Sequence, residues 1–181
     1  QVRKNLFVYS PLILPFPYSR LAGWVNRKLL FRAVQRWSQA TGFRCSIVWT
    51  FLPTPIARAL IRHLEPDVTV YYCIDDLASS SRQARRIRAS EERLFREADM
   101  VFVTSEKLRQ RAAQFARAVH FFPFGVDFER FEQVRQQPDE IAEDLRTLPR
   151  PIIGYVGGLH QWVDQDLLVE VAGRMPQASF V

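Results

Sequence analysis

The chain has 181 residues, of which 48% are hydrophobic and 13% aromatic, which is enough apolar material to bury a core and to exclude wholesale disorder. Its 25 basic and 19 acidic residues give a formal charge of +6, which favours anionic partners such as nucleic acid, anionic lipid or a phosphorylated substrate. The apolar runs are too short to span a bilayer, and prolines interrupt the apolar start, so neither a membrane-spanning helix nor a secretory signal is predicted.

Strands and helices alternate along the predicted chain. We predict, in order, a strand end or edge strand at 6–14, a helix at 21–40 stopped by Gly42, a buried strand at 45–53 and a helix at 55–64 with proline near its first turn. A strand at 67–76, a basic helix at about 80–98, a strand at 98–105, a helix capped by Ser105 and a short strand with a turn at 118–127 follow. A polar linker at 129–149, a strand at 151–158, a helix at 163–175 and the start of a further strand follow. Continuously apolar strands that alternate with helices predict a Rossmann-like α/β fold, a parallel sheet with helices on both faces.

The polar stretch divides the chain into a first domain, 1–149, and the beginning of a second, 150–181. The strand–helix–strand unit after the linker is only begun, and the first residue is not methionine, so we expect chain to be missing at both ends. Cys45 and Cys73 lie in apolar runs and form no metal-binding or disulfide pattern, which predicts buried thiols in a reducing compartment. The basic run 82–88 is interpreted as a solvated helix face.

Four places at or just after predicted strand ends are candidate sites, because ligands of open α/β sheets bind beyond the carboxyl ends of the strands. They are Asp75-Asp76, Thr104-Ser105-Glu106, Gly125-Val126-Asp127 and Gly157-Gly158. Each place also has a purely structural interpretation: loop carboxylates, a helix cap at Ser105, a positive φ at Gly125 and a tight turn at the glycine pair. The glycine pair lacks the spacing of a dinucleotide fingerprint or a P-loop, but its backbone N–H groups could approach a diphosphate.

The succession VYYCIDD, a helix with Glu91, ADMVFVTSEKL, FFPFGVDFERF and PIIGYVGGLHQWVDQDLL resembles the GT-B glycosyltransferases. It is most similar to the family-4-type (group 1) members that build bacterial cell-surface polysaccharides. The resemblance covers nearly the whole chain and is most specific over residues 67–168.

The resemblance implies two Rossmann-like domains, the first holding the acceptor and the second the nucleotide-sugar donor. It implies that Gly157 and Gly158 lie near the donor diphosphate. It also implies that Asp75 or Asp76 contacts the acceptor or sugar, and that Ser105, Glu106, Gly125 and Asp127 line the cleft, Asp127 chiefly fixing its turn. A hexosyltransferase of this type usually retains configuration and needs no cofactor or metal, because helix dipoles and basic side chains stabilise the departing diphosphate.

The expected partners are a nucleotide-sugar, a glycan or lipid-linked acceptor, and an anionic membrane at the inner face of the plasma membrane of a bacterial cytoplasm. The helix at 21–37 is the candidate for peripheral membrane contact, since Trp24, Phe31 and Trp37 lie among Arg20, Arg27, Lys28, Arg32 and Arg36. An ordinary core-facing helix with a basic solvated side is the alternative for that segment.

Two departures limit the resemblance. Phe124 stands where relatives usually have Asn, and the paired glutamates and basic phosphate-binding residue of the family would lie beyond Val181, so the isolated chain is expected to be inactive. Three alternatives stay open: a GT-B-fold sugar epimerase, a non-catalytic partner in polysaccharide assembly, and a basic nucleic-acid-binding module. No nucleic acid is expected as a partner, because no recognition motif is apparent.

Overall fold

The computed structural model describes residues 6–16, 19–82, 84–136, 141–160 and 163–181. Contacts between Cα atoms divide the chain into two compact units, Gln1–Gly125 and Val126–Val181. The break falls earlier in the chain than the domain boundary that we predicted after residue 149.

The first unit alternates helices and strands. Its elements are α1 (Arg20–Thr41), β1 (Ile47–Thr50), α2 (Pro55–Leu64), β2 (Val68–Cys73), α3 (Arg88–Glu97), β3 (Met100–Val103), α4 (Glu106–Ala112) and β4 (Val119–Phe121). The four strands form one parallel sheet in the order β1-β2-β3-β4. The predicted Rossmann-like α/β fold, a parallel sheet flanked by helices, is therefore confirmed.

The second unit is a small strand–helix–strand arrangement preceded by two helices. Its elements are α5 (Phe128–Gln136), α6 (Glu143–Arg146), β5 (Ile152–Ile153), α7 (Gln165–Arg174) and β6 (Ser179–Phe180). β5 and β6 are parallel, with Ile152 opposite Ser179. The stretch 129–149, predicted to be irregular, contains most of α5 and all of α6, so proline content alone overstated its irregularity.

The core of the first unit lies on one face of the sheet. Alternate residues of a strand point to opposite faces, so Tyr71 and Cys73 of β2 face the same way as Val101 and Val103 of β3. These side chains are buried against α3 and α4, where Phe95 and Tyr71 have ring centroids 5.2 Å apart. The core therefore fixes α3 over β2, the strand that leads into Asp75 and Asp76, and α4 over the neighbouring β3 and β4.

The helix ends follow their sequence signals. Ser19 accepts a hydrogen bond from the Ala22 N–H, and Gly42 ends α1 with a left-handed φ of 66°. Thr54 caps α2, and Pro55 lies in the first turn of that helix. The predicted stop at Gly42 is thus confirmed, and α2 occupies the predicted range 55–64.

Apart from a β-bridge at Leu6, the strand predicted at 6–14 was wrong. The described residues of this stretch form no strand, and the Leu14 backbone instead bonds to the buried Asn26 of α1: its N–H donates to Asn26 Oδ1 (2.7 Å) and its C=O accepts from Asn26 Nδ2 (3.1 Å). Pro11 and Pro15 also lack the N–H that a strand ladder needs. These two hydrogen bonds attach the segment to α1, and it is not a strand of the sheet.

Three other predicted elements were only partly right. The strand at 45–53 is β1, which is not buried on both faces, because it is the edge of the sheet and Ile47 is 64% exposed. The helix at 80–98 begins only at Arg88, after 3-10 turns at Leu77–Ser79 and Ala84–Ile87. The strand at 151–158 is limited to β5, consistent with glycines at 154, 157 and 158 that weaken a strand.

In the part of the chain that the structure describes, no helix is both long enough and apolar enough to cross a bilayer.

Candidate functional site

The two neighbouring carboxylates, Asp75 and Asp76, lie just past the carboxyl end of β2 and have different surroundings. Asp75 is exposed, and no hydrogen bond or ion pair joins its carboxylate to another described residue. The Asp76 carboxylate accepts hydrogen bonds from Ser79 Oγ (2.6 Å) and Arg111 Nη1 (2.7 Å). One carboxylate is thus free to meet a ligand, whereas its neighbour is engaged in the protein.

The contacts of Asp76 keep it ionised. Partial burial acts to raise its pKa, but the Ser79 hydrogen bond and the Arg111 guanidinium outweigh it, and the net effect lowers the pKa below the ordinary range. Because the folded-state pKa is lowered, the stabilisation is fully present above the unfolded-state pKa. It is lost as the pH falls through the folded-state pKa. Asp76 is therefore a fixed negative charge at neutral pH and a poor proton donor.

Behind Asp76 lies a fully buried carboxylate, that of Glu91 on α3. Glu91 Oε1 accepts from the Tyr71 hydroxyl (2.8 Å) and lies 3.8 Å from Cys73 Sγ, and Glu91 Oε2 is paired with Arg111 Nη2. Arg111 thus bridges the buried Glu91 and the half-buried Asp76. We call Tyr71, Cys73, Asp76, Glu91 and Arg111 the Glu91 network.

The charge balance of this network follows from its burial. Burial raises the pKa of the Tyr71 phenol, and burial raises the pKa of the Cys73 thiol to about 12, so both are neutral at physiological pH. The charges are then those of Arg111 and the carboxylates. Buried charges persist when they are paired and hydrogen-bonded, so the network fixes the loop after β2 to α3 and α4.

The raised pKa of Cys73 leads to a testable difference between the two cysteines. Because the thiolate is the reactive form, Cys73 should resist alkylation in the folded protein, whereas the less buried Cys45 should react, more slowly than a free thiol because its own pKa is raised by burial and by Asp67. Iodoacetamide labelling at pH 8 followed by peptide mass spectrometry should modify Cys45 first and Cys73 only after denaturation. Equal labelling of both in the folded protein would contradict the burial of Cys73.

A cavity of about 460 Å³ opens beside Asp76, and among the described residues it is lined by Ser79, Arg85 and Arg88. Arg85 belongs to the turn that precedes α3, and Arg88 is the first residue of α3. The charge of Arg88 reaches Asp76 and contributes to lowering the pKa of that carboxylate. We call this cavity the arginine pocket. The four arginines of the run 82–88 are exposed, as predicted, although they lie in a turn and at the start of α3 rather than on one helix face, and two of them also line a concave surface.

The residues after β3 lie at the same carboxyl end of the sheet as Asp75 and Asp76. Thr104 Oγ1 donates to the Ile74 carbonyl (2.8 Å), which joins the end of β3 to the end of β2. Ser105 caps α4 by accepting from the Leu108 N–H (3.3 Å), as predicted. Glu106 forms an exposed ion pair with Arg109 one turn along, and hydrogen bonds from Arg109 lower its pKa.

Gly125 and Asp127 were predicted to form a turn after β4. Gly125 does not have the positive φ that we expected, so that part of the prediction was wrong. Asp127 Oδ1 accepts from the Arg130 N–H (3.1 Å) at the start of α5, which is a structural use of this carboxylate. Gly125 belongs to the first unit and Asp127 to the second.

At the glycine pair in the second unit, the outer ends of two ring side chains lie close to the backbone. A Cβ on Gly157 would stand 3.0 Å from the Tyr155 hydroxyl, and one on Gly158 would stand 2.6 Å from His160 Nε2. The Tyr155 hydroxyl also donates to the Gly158 carbonyl (3.0 Å). The α7 start is acidic, since Asp164 caps it and Asp166 lies in its first turn, so an anion there would depend on the loop N–H groups.

The structure brings Asp75, Asp76, Thr104 and Ser105 to one edge of the first unit, and it adds two residues that the sequence interpretation did not assign a role. Arg111 gave no sequence signal, since α4 also carries the exposed basic residues Lys107 and Arg109. Glu91 did give one: it precedes Leu94 and Phe95 by three and four residues, so helical spacing places it on the apolar face of α3. A charged residue on an apolar face indicates a buried ion pair.

Within the described residues, no group of three or more His, Cys, Asp or Glu side chains is arranged to hold a metal ion. In comparisons with known proteins, neither a family model nor a curated protein matches the chain.

Proposed function

We propose that this chain is the acceptor-side domain and the start of the donor-side domain of a GT-B glycosyltransferase acting on a cell-envelope glycan or lipid-linked acceptor. The observation that carries the proposal is the pair Asp75-Asp76 beyond the carboxyl end of a central parallel strand, with one carboxylate free and the other fixed by Arg111. In open α/β sheets that edge is where ligands bind. The order of motifs along the sequence supplies the reaction class.

The proposed roles follow from the surroundings of each carboxylate. Asp75, exposed and unpaired among the described residues, accepts a hydrogen bond from the attacking hydroxyl of the acceptor. Asp76, held by Ser79 and Arg111, is a positioning residue that fixes the loop on which Asp75 stands. The donor diphosphate meets the backbone N–H groups of the Gly157-Gly158 loop.

In the proposed reaction, the bond between the anomeric carbon of the donor sugar and the diphosphate oxygen breaks, and a bond from that carbon to the acceptor oxygen forms. The acceptor hydroxyl gives its proton either to the departing diphosphate oxygen or to the Asp75 carboxylate. Retention of configuration and independence of a divalent metal are parts of the proposal that rest on the sequence resemblance alone.

The test measures release of nucleoside diphosphate from UDP-glucose, UDP-galactose, UDP-N-acetylglucosamine and GDP-mannose, with a bacterial membrane extract as acceptor. It uses this chain and, in parallel, the product of its complete open reading frame. We expect acceptor-dependent release and transfer of radiolabelled sugar from one donor in the complete product, and little or none from the chain alone.

Two results would reject the glycosyltransferase. The first is no release from any donor by a folded complete product, together with salt-sensitive affinity for arbitrary DNA, which would favour the basic nucleic-acid-binding module. The second is interconversion of a nucleotide-sugar with its epimer without an acceptor, which would favour the epimerase.

A further inference from the structure

We propose that the arginine pocket binds a phosphate group carried by a sugar, and that this group belongs to the acceptor. The assignment to the acceptor rests on the proposed function, whereas the binding of phosphate does not. The proposal starts from three polar side chains that line one cavity, Ser79, Arg85 and Arg88, of which the two arginines have N–H groups to donate.

The charges around the cavity favour an anion. Arg111, Glu91 and Asp76 together carry one net negative charge, against which Arg85 and Arg88 supply two positive charges, and the Ser79 hydroxyl donates to Asp76. Arg85 and Arg88 form no salt bridge with a described residue. Glu92, one turn beyond Arg88 on α3, is the nearest other carboxylate in sequence, and it forms no salt bridge with Arg85 or Arg88. The charge of Arg88 acts on Asp76, but neither guanidinium group at the wall of the cavity forms a salt bridge with a described carboxylate.

Phosphate fits these two groups better than a carboxylate does. A phosphate monoester carries a charge of about −1.5 to −2 at neutral pH and three acceptor oxygens, so it can engage both guanidinium groups at once. A carboxylate has two oxygens and one charge, which a single arginine satisfies with two parallel hydrogen bonds.

The size of the pocket extends the assignment from a bare ion to a sugar phosphate. Its volume of about 460 Å³ falls within the roughly 300–1,000 Å³ of small-molecule sites and exceeds the needs of a lone phosphate. The pocket also adjoins Asp76, beside the carboxylate proposed to contact the acceptor hydroxyl. A sugar whose phosphate lies against Arg85 and Arg88 would thus have its hydroxyls near the loop after β2.

The backbone that carries the two arginines is held in place by the rest of the first unit. Arg88 begins α3, and α3 is fixed by the buried Glu91 one turn further on. The turn that carries Arg85 is itself held by the Arg85 N–H, which donates to the Ser81 carbonyl (3.2 Å). Backbone positions held in this way reduce the ordering cost of binding.

The experiment titrates the chain with inorganic phosphate, glucose 1-phosphate and glucuronate by isothermal calorimetry at low salt. Phosphatidylcholine vesicles with and without phosphatidic acid form a separate arm. Arg85→Gln/Arg88→Gln is compared with the matched control Arg62→Gln/Arg117→Gln, which removes the same charge from exposed arginines outside the pocket. We expect glucose 1-phosphate to bind more tightly than phosphate or glucuronate, and the pocket variant to weaken it at least about tenfold, with no such change in the control.

Three results would overturn the phosphate site: no binding of either phosphate compound by folded wild-type chain, equal loss in the control variant, or tighter binding of glucuronate. The chain could instead bind vesicles in a way that depends on phosphatidic acid and on Arg85 and Arg88, without affinity for glucose 1-phosphate. The ligand of the pocket would then be a lipid headgroup rather than a sugar phosphate. If the complete product binds glucose 1-phosphate but transfers no sugar, the proposed glycosyltransferase function is rejected and the phosphate site is retained. Transfer that is unaffected by Arg85→Gln/Arg88→Gln would reject the acceptor assignment alone.

Discussion

Replacing Arg111 with leucine should destabilise the chain by about 3–5 kcal/mol, because it removes the cation from a fully buried carboxylate. Leucine keeps much of the apolar stem of the side chain, so the loss reports mainly on the charge. Urea denaturation followed by far-UV circular dichroism measures the difference in the free energy of unfolding.

Two variants make this test specific. Glu91→Leu/Arg111→Leu removes both charges and should recover more than half of the loss, because no unpaired charge is then buried. Arg109→Leu, on the same helix but in an exposed pair with Glu106, should leave the unfolding midpoint nearly unchanged. A cost below about 1 kcal/mol for Arg111→Leu would be typical of a surface ion pair and would contradict the importance of the Glu91 network.

Replacing Asp75 with asparagine should lower sugar transfer by the complete gene product about 10²–10⁴-fold if Asp75 assists the acceptor hydroxyl as proposed. The substitution keeps the size of the side chain and removes its charge. Since Asp75 is exposed and unpaired within the described chain, the free energy of unfolding should not change. Rates of nucleoside diphosphate release, measured with saturating donor and acceptor, give the comparison.

The neighbouring aspartate and a surface aspartate serve as controls. Asp76→Asn should lower the unfolding midpoint, because Asp76 loses part of its contacts with Arg111 and Ser79. Asp67→Asn, which removes an exposed carboxylate paired with Arg44, should alter neither activity nor folding appreciably. Full activity of Asp75→Asn would remove this residue from the proposed mechanism.

The sequence predicted the elements well where local signals and burial agreed. The helices α1, α2 and α4 and the strands β2 and β3 occupy predicted positions, because Gly42 is a strong stop signal, Ser105 is a strong start signal and the central strands are continuously apolar. The 6–14 stretch was mistaken for a strand because its apolar run carries no information about a partner, and its backbone bonds to the Asn26 side chain instead.

The candidate site was predicted in position but not in chemistry. The rule that ligands bind beyond strand ends led to Asp75 and Asp76, which lie just past the carboxyl end of β2. The sequence did not distinguish the free carboxylate from the engaged one, because Arg111 lies 35 residues beyond Asp76 and its approach depends on how α4 packs. The arginine pocket was missed for a related reason. A run of charges gives no indication of curvature, and only the packing of the turn before α3 makes the surface concave.

The position of β1 at the sheet edge has a consequence for how this protein behaves at high concentration. β1 is bonded to β2 on one side, and among the described residues no strand occupies its other side. The exposed side chains of Ile47 and Trp49, 64% and 49% accessible, add apolar surface to a row of backbone groups that can template another strand. This edge is therefore prone to self-association, and a charged residue at position 47 should block it.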